Sequence, residues 1–240
     1  MDLTALVYKL AVWSLPAFGV TLFALEIVSK EIGIWIAARY TRKATSSPEG
    51  VGVVVASMMG LLAFVLALTL SFASTRFNER LDGAIQEANA IGTSWLRAKA
   101  IGDPSGDDIA RKLEDYTRLR ADFIHAPAAV SDLDIISRRT ADLQSGIWSD
   151  LTAIVRRRPD PIAQSLMSSI NQTFDATSTM RFAFEKRLPG GLFWLLIGMT
   201  CLSMGALGFQ LGQRGRPLRL LGALLAAMWA TVIVDIIDLA

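Results

Sequence analysis

The sequence predicts an all-α integral membrane protein: four transmembrane helices, with a helical-bundle soluble domain inserted between spans two and three. Three observations lead there. Apolar residues make up 52% of the 240 and charged residues 19%, with a mean hydropathy of +0.41, a balance shifted away from that of water-soluble domains. Charges are nearly missing from residues 10–28, 51–74, 192–211 and 218–234, each close to the ~20 apolar residues that cross a bilayer core. Between the second and third of these stretches lies a charged segment with helical periodicity and no extended strand pattern. The chain therefore divides into residues 1–50 (first span and a basic interfacial segment), 51–75 (second span), 76–190 (soluble bundle) and 191–240 (third and fourth spans).

Backbone inside lipid must satisfy its own hydrogen bonds, so each span is read as a helix. In the first, Pro16 comes early and Glu26 late. "MDLTALVYKL" carries Asp2 and is followed by no small-residue cleavage site, so this span is expected to be retained. Glu26 and Lys30 stand four apart, the spacing of a helical ion pair, and read as a pair at the membrane surface. "EIGIWIAARYTRK" then reads as a separate interfacial helix.

The second span, from "VGVVVASMMG" onward, meets no proline before "GDPSG" at 102–106. One helix is thus expected to leave the oily tract and run on to about Ala100. The next helix is expected near Asp107, with acids at its N-terminus where the helix dipole favours them and Ile109, Leu113, Tyr116, Leu119 and Phe123 at helical spacing. Ser131 reads as the cap of a third bundle helix, with Asp134 three residues on. "RRRP" closes that helix. Asp160 and Pro161 open a fourth, which runs to about Leu188, where "PGG" ends it.

Small residues recur on one face of each later span: Ala56, Gly60, Ala63, Ala67, Ser71 and Ser74 in the second, Gly198, Cys201, Gly205, Gly208 and Gly212 in the third, and Gly222, Ala226 and Ala230 in the fourth. Such faces let membrane helices approach closely, and helix packing is the first reading. The second reading is a water-facing helix. Phe64, Leu68 and Phe72 supply an apolar constriction, and Ser71, Thr75 and Asn78 supply polar groups beyond it; these six are the pore-lining candidates. One chain of four spans makes no pore by itself, so that reading needs a ring of copies.

Asp235 and Asp238 end the fourth span on one face. They are expected to join Arg76, Arg80, Glu87 and Arg187 in a charged network where the spans meet the soluble domain, since acids at membrane depth are costly unless paired. Basic residues in the two short loops favour a domain outside the cell by the positive-inside rule.

No catalytic chemistry is expected. The one histidine, His125, and the one cysteine, Cys201, are too few for a zinc site of the usual ligands. No phosphate-binding loop, nucleophile elbow or dinucleotide fingerprint occurs. No cofactor and no metal are implied. A net charge of +2 gives no reason to expect nucleic acid as a partner. Membrane lipid, small ions and further copies of the chain are the partners expected.

The stretch "GLLAFVLALTLSFASTRFNERLDGAIQEANAIGTSWLRAKAI" resembles the bacterial bestrophin-like domain family. The likeness rests on Gly60, Leu61, Phe64, Ser71, Ala73, Arg76, Phe77, Arg80, Glu87, Ala88, Asn89, Ile91, Gly92, Leu96 and Arg97, with "EANAIGT" (87–93) the most specific block. "LEDYTRLR" and the Asp of "VIVDIIDL" extend it over residues 50–240. The resemblance implies a multi-pass protein of the bacterial plasma membrane. By analogy with true bestrophins it implies a homopentameric ring conducting small anions such as chloride, with span two lining a neck and the soluble region in the cytosol. The alternative is a non-conducting sensor or scaffold whose soluble bundle binds a partner. Within the block, Gln86, Asn89 and Thr93 share a helix face beside Ala88, Ala90 and Gly92. A tightly packed, hydrogen-bonded bundle core is the first reading of that face, and an aqueous vestibule the second.

Overall fold

A computed structural model describes residues 14–40, 48–125, 130–185, 190–215 and 218–239. Among these residues it holds seven α-helices and no strand: α1 (Leu15–Tyr40), α2 (Pro48–Ala100), α3 (Pro104–His125), α4 (Val130–Arg157), α5 (Pro161–Glu185), α6 (Gly190–Gln213) and α7 (Arg219–Leu239). Three stretches, Gly50–Ala100, Gly191–Gln213 and Arg219–Leu239, are long and apolar enough to cross a membrane. The protein is an all-helical membrane protein.

The first expected span differs most from its sequence reading. Residues 10–13 lie outside the described residues. Residues 15–28 belong to a 26-residue helix that continues to Tyr40 and takes in residues 31–40 of the expected interfacial helix, whose residues 41–43 lie outside the described residues. No proline or glycine pair interrupts residues 29–40, so nothing breaks the helix there.

The chain forms two compact units, Met1–Asn78 with Arg187–Ala240, and Glu79–Lys186. In the first, α1 packs along α6 and α7. The α1–α6 approach is close. A Cβ on Gly208 would collide with the Lys30 carbonyl, one on Gly33 with the Gly205 carbonyl, and one on Gly212 would lie 2.7 Å from the Ala37 Cβ. The small-residue stripe of α6 is thus a packing face, as lipid-embedded helices require. Contacts rise together along both helices, Ser29 with Gly205 and Ile34 with Gly212, so α1 and α6 run parallel. Gly19 meets Val234 and Lys30 meets Gly222, so α1 and α7 run antiparallel. Phe18, Leu22, Leu196, Met204, Ala226, Trp229 and Ile233 fill the core between them, joined by Leu62, Leu66 and Ala73 of α2.

The second unit packs α3, α4 and α5 with the later part of α2 around Ile109, Leu113, Tyr116, Ile147, Leu151, Ile154, Leu166 and Ile170. Local signals account for its boundaries. Gly102 takes φ +73° just past the end of α2, a left-handed position that glycine adopts without steric cost. α3 begins at Pro104, a little before the start expected near Asp107, and Asp103 caps it: its carboxylate accepts from the Ser105 and Gly106 amides at 2.9 and 3.1 Å. Pro104 holds the first helical position, where no amide hydrogen is needed. Asp160 accepts from the Ala163 amide at 2.8 Å and caps α5 as expected. Arg158, just after α4, bonds Asp160 and the Ile101 carbonyl at 2.8 and 2.9 Å, stapling this corner of the bundle. The side chains of Ser131 and Asp134, expected at the cap of α4, lie outside the described residues.

Candidate functional site

Within the first unit, α2 buries one narrow face, Val55, Leu62, Leu66, Thr69 and Ala73, and leaves the rest uncovered. Phe64, Leu68 and Phe72 are 60%, 55% and 43% exposed. Ser71, Thr75 and Asn78 are exposed with them. All six pore-lining candidates therefore stand on the open side of this helix, and none is packed dry against α6 or α7. The small residues Ala56, Gly60, Ala63, Ala67 and Ser74 are also uncovered. Positions 64, 68, 71, 75 and 78 alternate four- and three-residue steps, which keeps them on one face. Thr75 turns its hydroxyl hydrogen back to the Ser71 carbonyl at 3.0 Å, leaving oxygen lone pairs available to solvent or an ion.

In the second unit the same helix carries Asp82, Gln86, Asn89 and Thr93, all exposed. This corrects the expectation that Gln86, Asn89 and Thr93 belong to a buried polar core. They line one wall of an open groove of about 420 Å³, with Gln172, Asp175 and Thr179 of α5 on the other. Small residues between them, Ala90 and Ala176, keep the floor low.

The buried network lies one residue to the side. Glu87 is 2% exposed. Its carboxylate accepts from Arg120 Nε at 2.5 Å, from Arg120 Nη2 at 3.2 Å and from the Thr177 hydroxyl at 2.7 Å. Tyr116 stands 2.7 Å from Thr177 and accepts from Gln144 at 2.8 Å. One direction runs through the chain, with Gln144 donating to Tyr116, Tyr116 to Thr177, and Thr177 to Glu87 at 2.7 Å, a shorter contact than the 3.0 Å from the Thr177 hydroxyl to the Thr173 carbonyl. Bonds aligned in this way polarise one another. Burial pushes the Tyr116 phenol above its ordinary value of 10, and its hydrogen bonds with Thr177 and Gln144 only partly offset this. Arg120 also lies 4.4 Å over the Phe123 ring. Nearby, Ser94 and Thr173 share a buried hydroxyl–hydroxyl bond of 2.9 Å. Arg120 was missed at the sequence level. It sits 33 residues from Glu87, in "LEDYTRLR", and only its place on the apolar face of α3, four residues after Tyr116, hinted at burial.

The Arg76 guanidinium lies 4.9 Å over Phe72, and that of Arg80 lies 5.9 Å over Phe184. Asp235 and Asp238 are exposed, and no described ion pair includes either. Arg187 lies outside the described residues. The expected Glu26–Lys30 surface pair is corrected twice over. Both residues are buried, at 0% and 2% exposure, and Lys30 pairs with Glu31 at 3.4 Å instead.

A family model described as Bestrophin-like domain matches residues 26–240. No curated protein and no solved structure matches the chain.

Proposed function

The chain belongs to the bestrophin-like domain family, and from that premise we propose that several copies assemble in the membrane with α2 around a common axis, forming a conduit for small ions. The carrying observation is the open face of α2. Along one unbroken helix, positions 64, 68, 71, 75, 78, 82, 86, 89 and 93 keep steps of three and four and are all exposed. Their chemistry grades from Phe and Leu through Ser, Thr and Asn to Asp82, Gln86, Asn89 and Thr93. An apolar constriction opening into a polar vestibule is what a pore needs. A solitary membrane helix with so much uncovered surface calls for lipid or neighbouring copies.

In this reading α1 is a fourth span of a multi-pass protein of the bacterial plasma membrane. Its 26 residues extend about 39 Å at 1.5 Å per residue, and its parallel course beside α6 suits a chain that crosses four times. Closed rings of identical subunits are ordinary, and the resemblance favours five. No catalytic role is assigned.

The resemblance implies anions such as chloride. The open face itself carries Asp82, with Asp175 in the facing wall of the groove, and no Lys or Arg at its nine positions. Carboxylate rings favour cations, so cation conduction is the second reading. The alternative to conduction is a sensor or scaffold that uses the polar groove for a partner.

Flux measured in vesicles reconstituted with the full chain tests the proposal. Conduction with Phe64→Ala and Leu68→Ala raising the current is the expected result. Absence of flux for chloride, potassium and sodium at every tested pH, or a monomer in detergent, ends it. Under a salt gradient, the sign of the reversal potential separates anions from cations, and Asp82→Asn should move it only if the vestibule lies on the path.

A further inference from the structure

Among the described residues, Glu26 is a fully buried charged side chain with no hydrogen-bond partner for either carboxylate oxygen. Its depth follows from helix register. Ser29 lies against Gly205 and Lys30 against Gly208 across the parallel α1–α6 contact, so Glu26 falls level with Cys201. Cys201 stands midway along α6, 11 residues from Gly190 and 12 from Gln213. That is about 17 Å from either end at 1.5 Å per residue, as deep as a bilayer core of about 30 Å allows.

The surroundings offer the carboxyl little. On α6, Cys201 is the sole titratable group. On α7, the charged residues Arg219, Asp235 and Asp238 are exposed. Contacts of Gly19 with Val234 and of Lys30 with Gly222 put Ala226 near the level of Glu26. Between Gly50 and Thr75, α2 has no charge at all. On α1 itself Lys30 is the nearest cation, one turn on, with its ammonium 3.4 Å from Glu31.

We propose that Glu26 is a proton-binding site in the interior of this helix bundle. With its proton it is a neutral, compact group that fits a dry site. When the proton leaves for water, the buried charge left behind needs a cation. The Lys30 ammonium supplies it by turning from Glu31 to Glu26, a reach of one helical turn. A metal ion is a poorer ligand here. It asks for about six oxygens, and the described residues hold no cluster of three acidic, histidine or cysteine side chains. The proposal stands apart from conduction. It needs only the packing of α1 against α6 and α7.

Dicyclohexylcarbodiimide, an apolar reagent that modifies protonated carboxyls, tests it on the full chain in vesicles, with adducts mapped by peptide mass spectrometry. Glu26 should carry the adduct in mildly acidic buffer and about tenfold less of it per unit of pH once past its titration point. Half-exposed Glu31 should stay unmodified. Infrared difference spectra should show a protonated-carboxyl band that fades as the adduct does and is missing from Glu26→Gln. No adduct at Glu26, or an adduct level indifferent to pH, overturns the proposal on wild-type protein alone. A titrating band that survives in Glu26→Gln overturns it as well.

Discussion

Glu26 and Glu87 are equally hidden and oppositely treated. Glu87, in the bundle of residues 79–186, has three hydrogen bonds from Arg120 and Thr177. Glu26, in the unit of apolar helices, has none among the described residues. A bundle that folds against water can recruit an arginine, because the guanidinium loses its hydration only once its partner is in place. In the unit of apolar helices the glycine contacts bring no arginine to Glu26, and the nearest cation, Lys30, pairs with Glu31 instead. The contrast teaches that burial alone says little about an acid. A paired buried acid holds a structure in register, and an unpaired one is poised to change state.

Arg120→Met should destabilise the helical bundle by about 3–5 kcal/mol, because it leaves the Glu87 charge buried and alone. The double variant Glu87→Leu with Arg120→Met should recover most of that loss. Thermal unfolding followed by circular dichroism reads both. A single variant as stable as the parent would mean that the Glu87 side is no better satisfied than the Glu26 side.

On the other side of the comparison, Gly208→Val places methyl groups where the Lys30 backbone lies. Overpacking of this kind costs about 1–3 kcal/mol, and the α1–α6 contact should loosen. Cysteine cross-linking between α1 and α6 should fall accordingly. Unchanged cross-linking would show that the close approach around Glu26 is not what holds α1 in place. A smaller loss, about 1 kcal/mol, is expected for Tyr116→Phe, which cuts the relay to Glu87 but keeps the ring packing.

The smallest effect belongs to the α5 cap. The Ala163 amide, the Arg158 side chain and the Ile162 amide hold the Asp160 carboxyl below its ordinary value of 3.8. A group whose folded value is depressed contributes stability that is present above its unfolded value and is lost as pH falls through the folded one. The melting temperature should therefore dip on the acid side of about pH 4, and Asp160→Asn should flatten that part of the profile. A dip of the same size in the variant would assign it to other carboxyls.

Much of this was legible in the chain. The spans in α2, α6 and α7 follow from uninterrupted apolar runs, and the Asp160–Pro161 start of α5 from a local cap. The glycine steps of α6 forecast its packing face, and "EANAIGT" carried the family likeness. Other features were hidden because they depend on who stands opposite. Glu26, Lys30 and Glu31 break the hydropathy of α1, so a buried acid looked like a surface one. Gln86, Asn89 and Thr93 looked like a core because nothing in their spacing says which side of α2 the other helices cover. Burying Glu87 instead is a shift of one residue, about 100° around the helix.

Hydropathy and helical period are local properties of a chain, so the order of residues alone marks this protein as helical and membrane-bound. Packing set which face of α2 stays open, brought Arg120 to Glu87, and left Glu26 unanswered halfway through its bundle. Those outcomes are set by contacts between residues far apart in the chain, and a buried charge is cheap or costly according to the groups such contacts bring to it.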